Sequence, residues 1–443
     1  MGKLAQWIPI IFFQTLALSW GARAEQVPLH KVWDAISQSS PALKAAELQS
    51  DAAVEAEARA GRHWLPKVYL DAKSYQTDAP GQSFFGLLEQ RSLRQSDFNP
   101  DTINTPGTET FTRGALGLAL PLYEGGMKSS QYGLQKHLSE SAVSDSQSAR
   151  VGQYTQVAKL YGSLGLIEQQ KQKLQSLKHV IDRLLKNYQL GVKSNPVGYS
   201  GLLGLKSLAN RIQGLLDSYE AQNRASYLAL KEMGYPESNW SPQFAETISF
   251  VENYLNNQTQ EPSFQVQSLK AKALVAQEAS EMEKARFLPQ FGAFAESYVF
   301  SGSRDTAHGY TAGLYLQWSL FNPSDYGAHK EARLRSLAAQ RYTEAIAQKE
   351  KAESSSLAQI ADSIKGNIRL LEESQKILVE QSQVTESLFK NGSINALQFV
   401  EVLNRRVDLI VTQTEANQGL LDVSSQKVLK ARFDLPLDKA QGK

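Results

Sequence analysis

The stretch EGGMKSSQYGLQKHLSESAVSDSQSARVGQYTQVAKLYGSLGLIEQQKQKLQSLKHVIDRLLKNYQL, residues 124–190, contains no proline and lies between Pro121 and Pro196. Proline inside a helix costs ~3 kcal/mol, so a proline-free run of this length reads as one long helix. Within it Leu174, Leu177, Ile181, Leu184 and Tyr188 recur at spacings of 3 and 4. That is the heptad seam of a helix lying along another helix. At 1.5 Å per residue the run extends ~100 Å, far beyond a compact domain. A rod of that length needs partner helices along its whole course.

The flanking sequence supplies them. The chain reverses at Leu190-Gly191-Val192, and a helix over about 197–233 carries its own seam in Leu202, Leu205, Leu208, Ile212 and Leu215. The plan then recurs. No proline occurs between Pro323 and Pro436, and a long helix over about 323–390 reverses at Asn391-Gly392-Ser393. A helix over about 396–433 follows, with Leu397, Val400, Leu403, Val407 and Ile410 as its seam. A glycine just past a helix end takes the left-handed conformation that other residues resist.

Upstream of each long helix the layout also repeats. Leu29, Trp33 and Pro41 correspond to Phe250, Tyr254 and Pro262, and Leu65-Pro66 corresponds to Leu288-Pro289. Each Leu-Pro stops a helix, because the residue before proline is pushed towards extended geometry. After it the period changes to two, giving strands over about 66–77 and 110–121, then 289–300 and 308–320. Leu116, Leu118 and Leu120 share one side of their strand, as do Leu314, Leu316, Trp318 and Leu320. Strands of ~10–12 residues suit a tilted membrane-spanning β-strand, so these leucines and Trp318 are expected to face lipid. The loop over 77–108 is long and polar, whereas that over 301–307 is short. The organisation expected is a repeat over 25–235, a linker over 236–247, a second repeat over 248–435 and a tail over 436–443.

Lys3, the mostly apolar run Trp7 to Trp20, and Ala22-Arg23-Ala24 read as a secretory signal over 1–24. No later stretch holds 18 consecutive apolar residues, so a membrane-embedded part has to be a barrel. Lys and Arg number 47 against 45 Asp and Glu, which offers no electrostatic footprint for nucleic acid. Cysteine is absent, removing thiol chemistry and cysteine metal sites. The six histidines show no H-E-x-x-H spacing, and the glycines from Gly114 to Gly126 lack a phosphate-loop Lys. The expectation is no enzyme, no cofactor and no metal.

Four strands cannot close a barrel alone, since single-chain barrels begin at about eight; a dimer, trimer or tetramer satisfies the arithmetic. The two-fold repeat, each Leu-Pro before a strand, the junction Pro121-Leu122-Tyr123-Glu124-Gly125-Gly126 and the paired glycine turns resemble the TolC-like outer-membrane efflux family. The resemblance covers almost all of the chain after the signal. It implies an α/β membrane protein: a homotrimer whose four strands per chain make a 12-stranded barrel in the outer membrane, continued by a long α-helical barrel into the periplasm. It also implies an exit channel for a tripartite efflux pump or type I secretion system, partnered by a periplasmic adaptor and an inner-membrane pump. Adaptor docking then falls at Leu190, Gly191 and Val192 and at Asn391, Gly392 and Ser393. In the family an Arg and two Asp after the second turn help close the entrance. Counting from Gly392, Ile394 replaces the Arg, Gln398 the first Asp, and Glu401 holds the second position. With three residues inserted, Glu401 and Asn404 take the Asp positions instead. At the first turn, in either register, Val197 stands where the family often has an Asp. The competing reading is a periplasmic coiled-coil scaffold with small β ribbons, which the apolar alternation of Leu314 to Leu320 opposes.

Overall fold

A computed structural model describes residues 25–187, 196–236, 240–256, 259 and 261–436. The signal expected over 1–24 and the turn Leu190-Gly191-Val192 lie outside them. Residues up to Ser39, Leu160–Phe250 and Leu371–Gln418 form one compact unit; Ser40–Lys159, Val251–Leu370 and the chain from Gly419 form the other. Each unit therefore draws segments from both sequence repeats.

The chain opens with β1 (Glu25–Val27), α1 (Leu29–Ser39) and α2 (Pro41–Ala60), then β2 (Lys67–Thr77). Two helices, α3 (Pro80–Glu89) and α4 (Pro100–Asn104), occupy the stretch read as loop before β3 (Glu109–Glu124). Next come α5 (Met127–Asn187), α6 (Pro196–Glu232), β4 (Trp240–Pro242), α7 (Thr247–Tyr254) and α8 (Phe264–Ala285). The second repeat continues with β5 (Gln290–Ser301), β6 (Thr306–Gln317), α9 (Ala328–Lys390) and α10 (Ala396–Val428). Helix α5 starts at Met127 rather than near 124 because Gly125 and Gly126 hold φ of 65° and 86°, outside helical geometry. A Cβ on Gly125 would meet the Ala285 carbonyl at 2.6 Å, so this corner admits only glycine.

The heptad seams meet in the first unit. Leu174, Leu177 and Ile181 of α5 cluster with Leu205, Leu208 and Ile212 of α6 and with Val400, Leu403, Val407 and Ile410 of α10. Leu397, read as part of that seam, is instead exposed, and Phe399 is buried in the cluster. At the start of the chain β1 pairs in parallel with β4, inside the expected linker. Tyr161 of α5 stacks on Trp240 and on Phe250, with ring centroids 6.0 and 5.9 Å away. Its hydroxyl donates to the Val27 carbonyl at 2.7 Å. Buried aromatic area with a satisfied hydroxyl holds the pair of short strands in place.

The second unit holds a four-stranded antiparallel sheet in the order β2-β3-β5-β6. Pro121, the strand end expected from sequence, lies inside β3, which continues to Glu124 with a register shift between Pro121 and Tyr123. A bulge tolerates a residue with no N–H to give. Four glycines sit directly opposite aromatic rings: Gly117 and Tyr69, Gly292 and Tyr315, Gly309 and Tyr298, Gly313 and Phe294. A Cβ on Gly292 would stand 2.4 Å from the Tyr315 ring, and one on Gly117 would stand 2.1 Å from that of Tyr69. The rings lie across the glycines and cover backbone that no side chain would shield. Gly292→Val is expected to displace Tyr315 and cost about 1–3 kcal/mol, as overpacking does. Gly114→Val, with nothing within 4 Å, should be mild by comparison; equal melting shifts in the two purified variants would contradict the pairing.

Candidate functional site

Strand alternation and register sort the sheet into two faces. On one, Val68 and Leu70 of β2 pair with Leu118 and Leu116 of β3, and Leu120, Ala293 and Leu314 form one cross-strand row. Phe291 and Leu316 form the next. These side chains are open: Leu70 is 79% exposed, Leu314 67% and Leu316 69%. Tyr310 lies at one end of this apolar band. Trp318 lies just beyond the other, since β6 stops at Gln317; its indole N–H donates to the Phe287 carbonyl at 3.2 Å.

The opposite face is charged. Arg113 pairs with Glu296 and stands 3.6 Å from Asp71, while the Tyr69 hydroxyl donates to Glu296 at 3.2 Å. Lys67 and Lys73 lie on the same side, by their register with Ala119 and Arg113. A sheet with one exposed aliphatic face and one charged face suits a boundary between hydrocarbon and water. Its two outer strands, β2 and β6, have no further partner among the described residues.

The stretch over 77–108 is not the open polar loop expected. Ser83, Leu87, Gln90 and Asp97 are buried in it. Arg304, in the β5–β6 turn, donates to both Asp97 carboxylate oxygens at 2.7 and 2.9 Å. Asp97 also accepts the Arg94 backbone N–H at 2.7 Å. The sequence signal available was an isolated Asp97 and a distant Arg304, which carries no spacing to connect them.

At the second helix reversal, Ser393 N–H donates to the Leu388 carbonyl and Gly392 N–H to that of Phe389, with Gly392 at φ 72°. This is a Schellman cap. Helix α10 then opens on a reciprocal capping box. The Gln398 side chain accepts the Asn395 N–H at 3.1 Å, and the Asn395 side chain accepts the Gln398 N–H at 3.0 Å. Gln398, read as a gate position, is thus engaged in ending the turn. Glu401 pairs with Arg405 one helical turn on, at 3.1 Å and exposed. Asn391, Gly392 and Ser393 are exposed at the tip, and Val197 is exposed in the first turn of α6.

No protein-family model matches the sequence, and no curated protein does. Solved structures do match. CusC, solved to follow conformational changes accompanying folding and transmembrane channel formation, aligns at TM-score 0.75 and 11% identity, over 98% of this chain and 99% of that one. The CmeC outer membrane channel of Campylobacter jejuni aligns at 0.73 and 14%, over 91% of this chain and 84% of its own. The outer membrane protein VceC of Vibrio cholerae aligns at 0.73 and 12%, over 92% and 97%. The fold is that of an outer-membrane channel. The expected four strands and long paired helices per chain are borne out on this channel fold.

The Asp97 carboxyl titrates below its ordinary range, held down first by its hydrogen bond from Arg304, then by the Arg94 backbone bond. A depressed carboxyl contributes stability above its unfolded pKa and loses it as pH falls through the folded one. Acidification below the ordinary Asp range, about pH 4, should therefore loosen residues 80–104. Amide exchange, referred to the intrinsic rate at each pH, will read this as lower protection there, and Asp97→Asn should abolish the pH dependence of that protection.

Proposed function

We propose that the chain is one protomer of a trimeric exit duct in the outer membrane of a Gram-negative cell, reaching into the periplasm. It passes substrate from a periplasmic adaptor and inner-membrane pump, of the tripartite efflux or type I secretion kind, to the outside. The observation that carries this reading is the sheet: an aliphatic face, a charged face and two open edges. In lipid, unpaired N–H and C=O groups at an edge cost several kcal/mol each, so β2 of one copy must meet β6 of the next. Three copies give the 12 strands of the expected barrel, its apolar face on lipid and its charged face on the water-filled lumen.

Other exposed surfaces support several copies. Not one residue of α2 is buried within the single chain. On α9, Ile377 and Val384 stand one heptad apart, 66% and 55% exposed, a seam left open among the described residues. The fold neighbours are channels, and a duct of this kind performs no bond chemistry. No helix among the described residues is long and apolar enough to cross a membrane, which agrees with the sheet as the membrane element. A periplasmic scaffold has no use for an exposed aliphatic sheet face.

Leu314, at the middle of the apolar band, tests the lipid face. Leu314→Arg should cost about 2–4 kcal/mol at the bilayer midplane and reduce heat-modifiable trimer in the outer membrane. Thr311→Arg, on the charged face opposite Glu296, should insert normally. Equal yields of the two would remove the barrel reading.

We further assign adaptor docking to the two reversals, Leu190-Gly191-Val192 and Asn391-Gly392-Ser393, at the ends of the long helices farthest from the strands in sequence. At Gly392 a Cβ would meet nothing within 4 Å, so the tip is open to a partner. Val192→Glu and Ser393→Glu add a charge without touching the Gly392 cap, whose bonds are made by backbone. Export should be lost while trimer level stays normal. Full export by both, in a strain with no other exit duct, would take the turns off the docking surface.

A further inference from the structure

Strand alternation puts Tyr75, Phe111, Phe300 and Ala307 in the last rows of the charged face, at the end of the sheet where the hairpins turn. Phe111, Phe300 and Ala307 are nevertheless buried, Phe111 completely. What covers them is the segment between β2 and β3. Gly86 of α3 lies so close over Phe111 that a Cβ there would sit 2.4 Å from the ring. The Glu89 carboxylate lies near the Tyr298 hydroxyl, and Arg91 donates to the His308 carbonyl at 3.0 Å. Helix α3 thus starts beside β2, crosses β3 and β5 and ends against β6, always on the charged face.

Two contacts tie its far end down. Gln90, fully buried, donates to the Gly86 carbonyl, and its side-chain oxygen accepts the N–H groups of Arg304 and Asp305 at 3.2 and 3.0 Å. Arg304 makes the bidentate pair with Asp97. A bidentate guanidinium–carboxylate pair fixes orientation as well as distance. Both contacts join the segment to the short turn of the other hairpin. They do not join it to its own strands.

We propose that residues 80–104 are a lid folded inside the outer mouth of the duct, latched by Arg304 and Gln90, and that this latch sets the width of the exit. The inference rests on the exit-duct reading, in which the charged face is the lumen. Three such lids, one per protomer, enter the lumen where it opens outward. Their uncovered side is apolar: Phe84 packs edge-on against Phe85 and Phe98, and Phe85, Leu88 and Phe98 are exposed. Substrate leaving the duct passes this aromatic surface last. Because Arg304 lies on the turn joining β5 and β6 and Gln90 lies in the segment itself, releasing them leaves every strand pair of the sheet intact.

The test is single-channel conductance of the purified full-length trimer in planar bilayers, with thermolysin cleavage near Phe85, Leu88 and Phe98 as the monitor of lid release. Arg304→Ala and Gln90→Ala should each raise conductance several-fold and expose the segment to cleavage at unchanged trimer yield. Arg304→Asp should do the same, and combining it with Asp97→Arg should restore most of the low conductance. Wild-type conductance in Arg304→Ala and Gln90→Ala overturns the lid, whether or not thermolysin now cuts: cleavage without widening shows a released segment that blocks nothing, and no cleavage shows that the pair is no latch. If Arg304→Ala yields no trimer, Gln90→Ala, which keeps the ion pair, decides by the same readouts. A wild-type protein that forms neither trimer nor conducting channel removes the exit-duct reading itself, a result distinct from failure of the lid alone.

Discussion

A four-stranded sheet with exposed leucines on one face and free backbone on both edges cannot stay as it is in a bilayer. Hydrocarbon offers no partner to an unpaired N–H or C=O, so the edge of β2 and the edge of β6 must be satisfied by more sheet. Every other feature of the second unit follows this constraint. Val68, Leu118, Ala295 and Ala312 carry one apolar row across all four strands, and Leu120, Ala293 and Leu314 extend the band over three. On the opposite side Arg113 stands between the carboxylates of Asp71 and Glu296, where water is available to the charge left over. Glycines under the rings of Tyr69, Tyr298, Tyr315 and Phe294 let the charged face curve inward without crowding.

The helical part solves a different problem. A long helix with a mean composition as polar as α5 or α9 gains little by itself, because most helical stability comes from tertiary packing. The buried seam of α5 is completed by α6 from its own repeat and by α10 from the other. The seam residues of α9 that remain open are the counterpart of the open strand edges: both are surfaces that another copy of the chain can cover. The sheet and the helices thus make the same demand on assembly through different chemistry, hydrogen bonding in one case and apolar burial in the other.

Local and distant interactions divide the labour at the two tips of the chain's hairpins. The reversal at Gly392 is closed by neighbours in sequence: a Schellman cap, then the Asn395–Gln398 box. Its outer surface, Asn391 to Ser393, is exposed. The segment over 80–104 is closed by residues some two hundred positions away, Arg304 and Asp305. A tip made by local bonds stays formed when a partner leaves. A segment laid on the face of the sheet and tied to the far hairpin by an ion pair and an amide can lift without breaking a strand pair.

The sequence alone determined what depends on near neighbours. Proline placement, heptad spacing and period-two alternation are properties of a few consecutive turns or residues, so helices, strands, reversals and the internal repeat were readable without coordinates. The apolar set Leu116, Leu118, Leu120, Leu314 and Leu316 was readable for the same reason, because alternation assigns each to one side of its strand. Only the tertiary structure decided which sides of different strands coincide, that Pro121 sits in a bulge within β3, and that Phe399 replaces Leu397 in the core. It also turned the supposed polar loop into helices α3 and α4 covering the charged face. Nothing in the spacing of Gln90, Asp97 and Arg304 could announce that. A contact between distant positions is fixed by how strands pair and where a chain folds back, and the register that brings those residues together exists only once the whole sheet has formed.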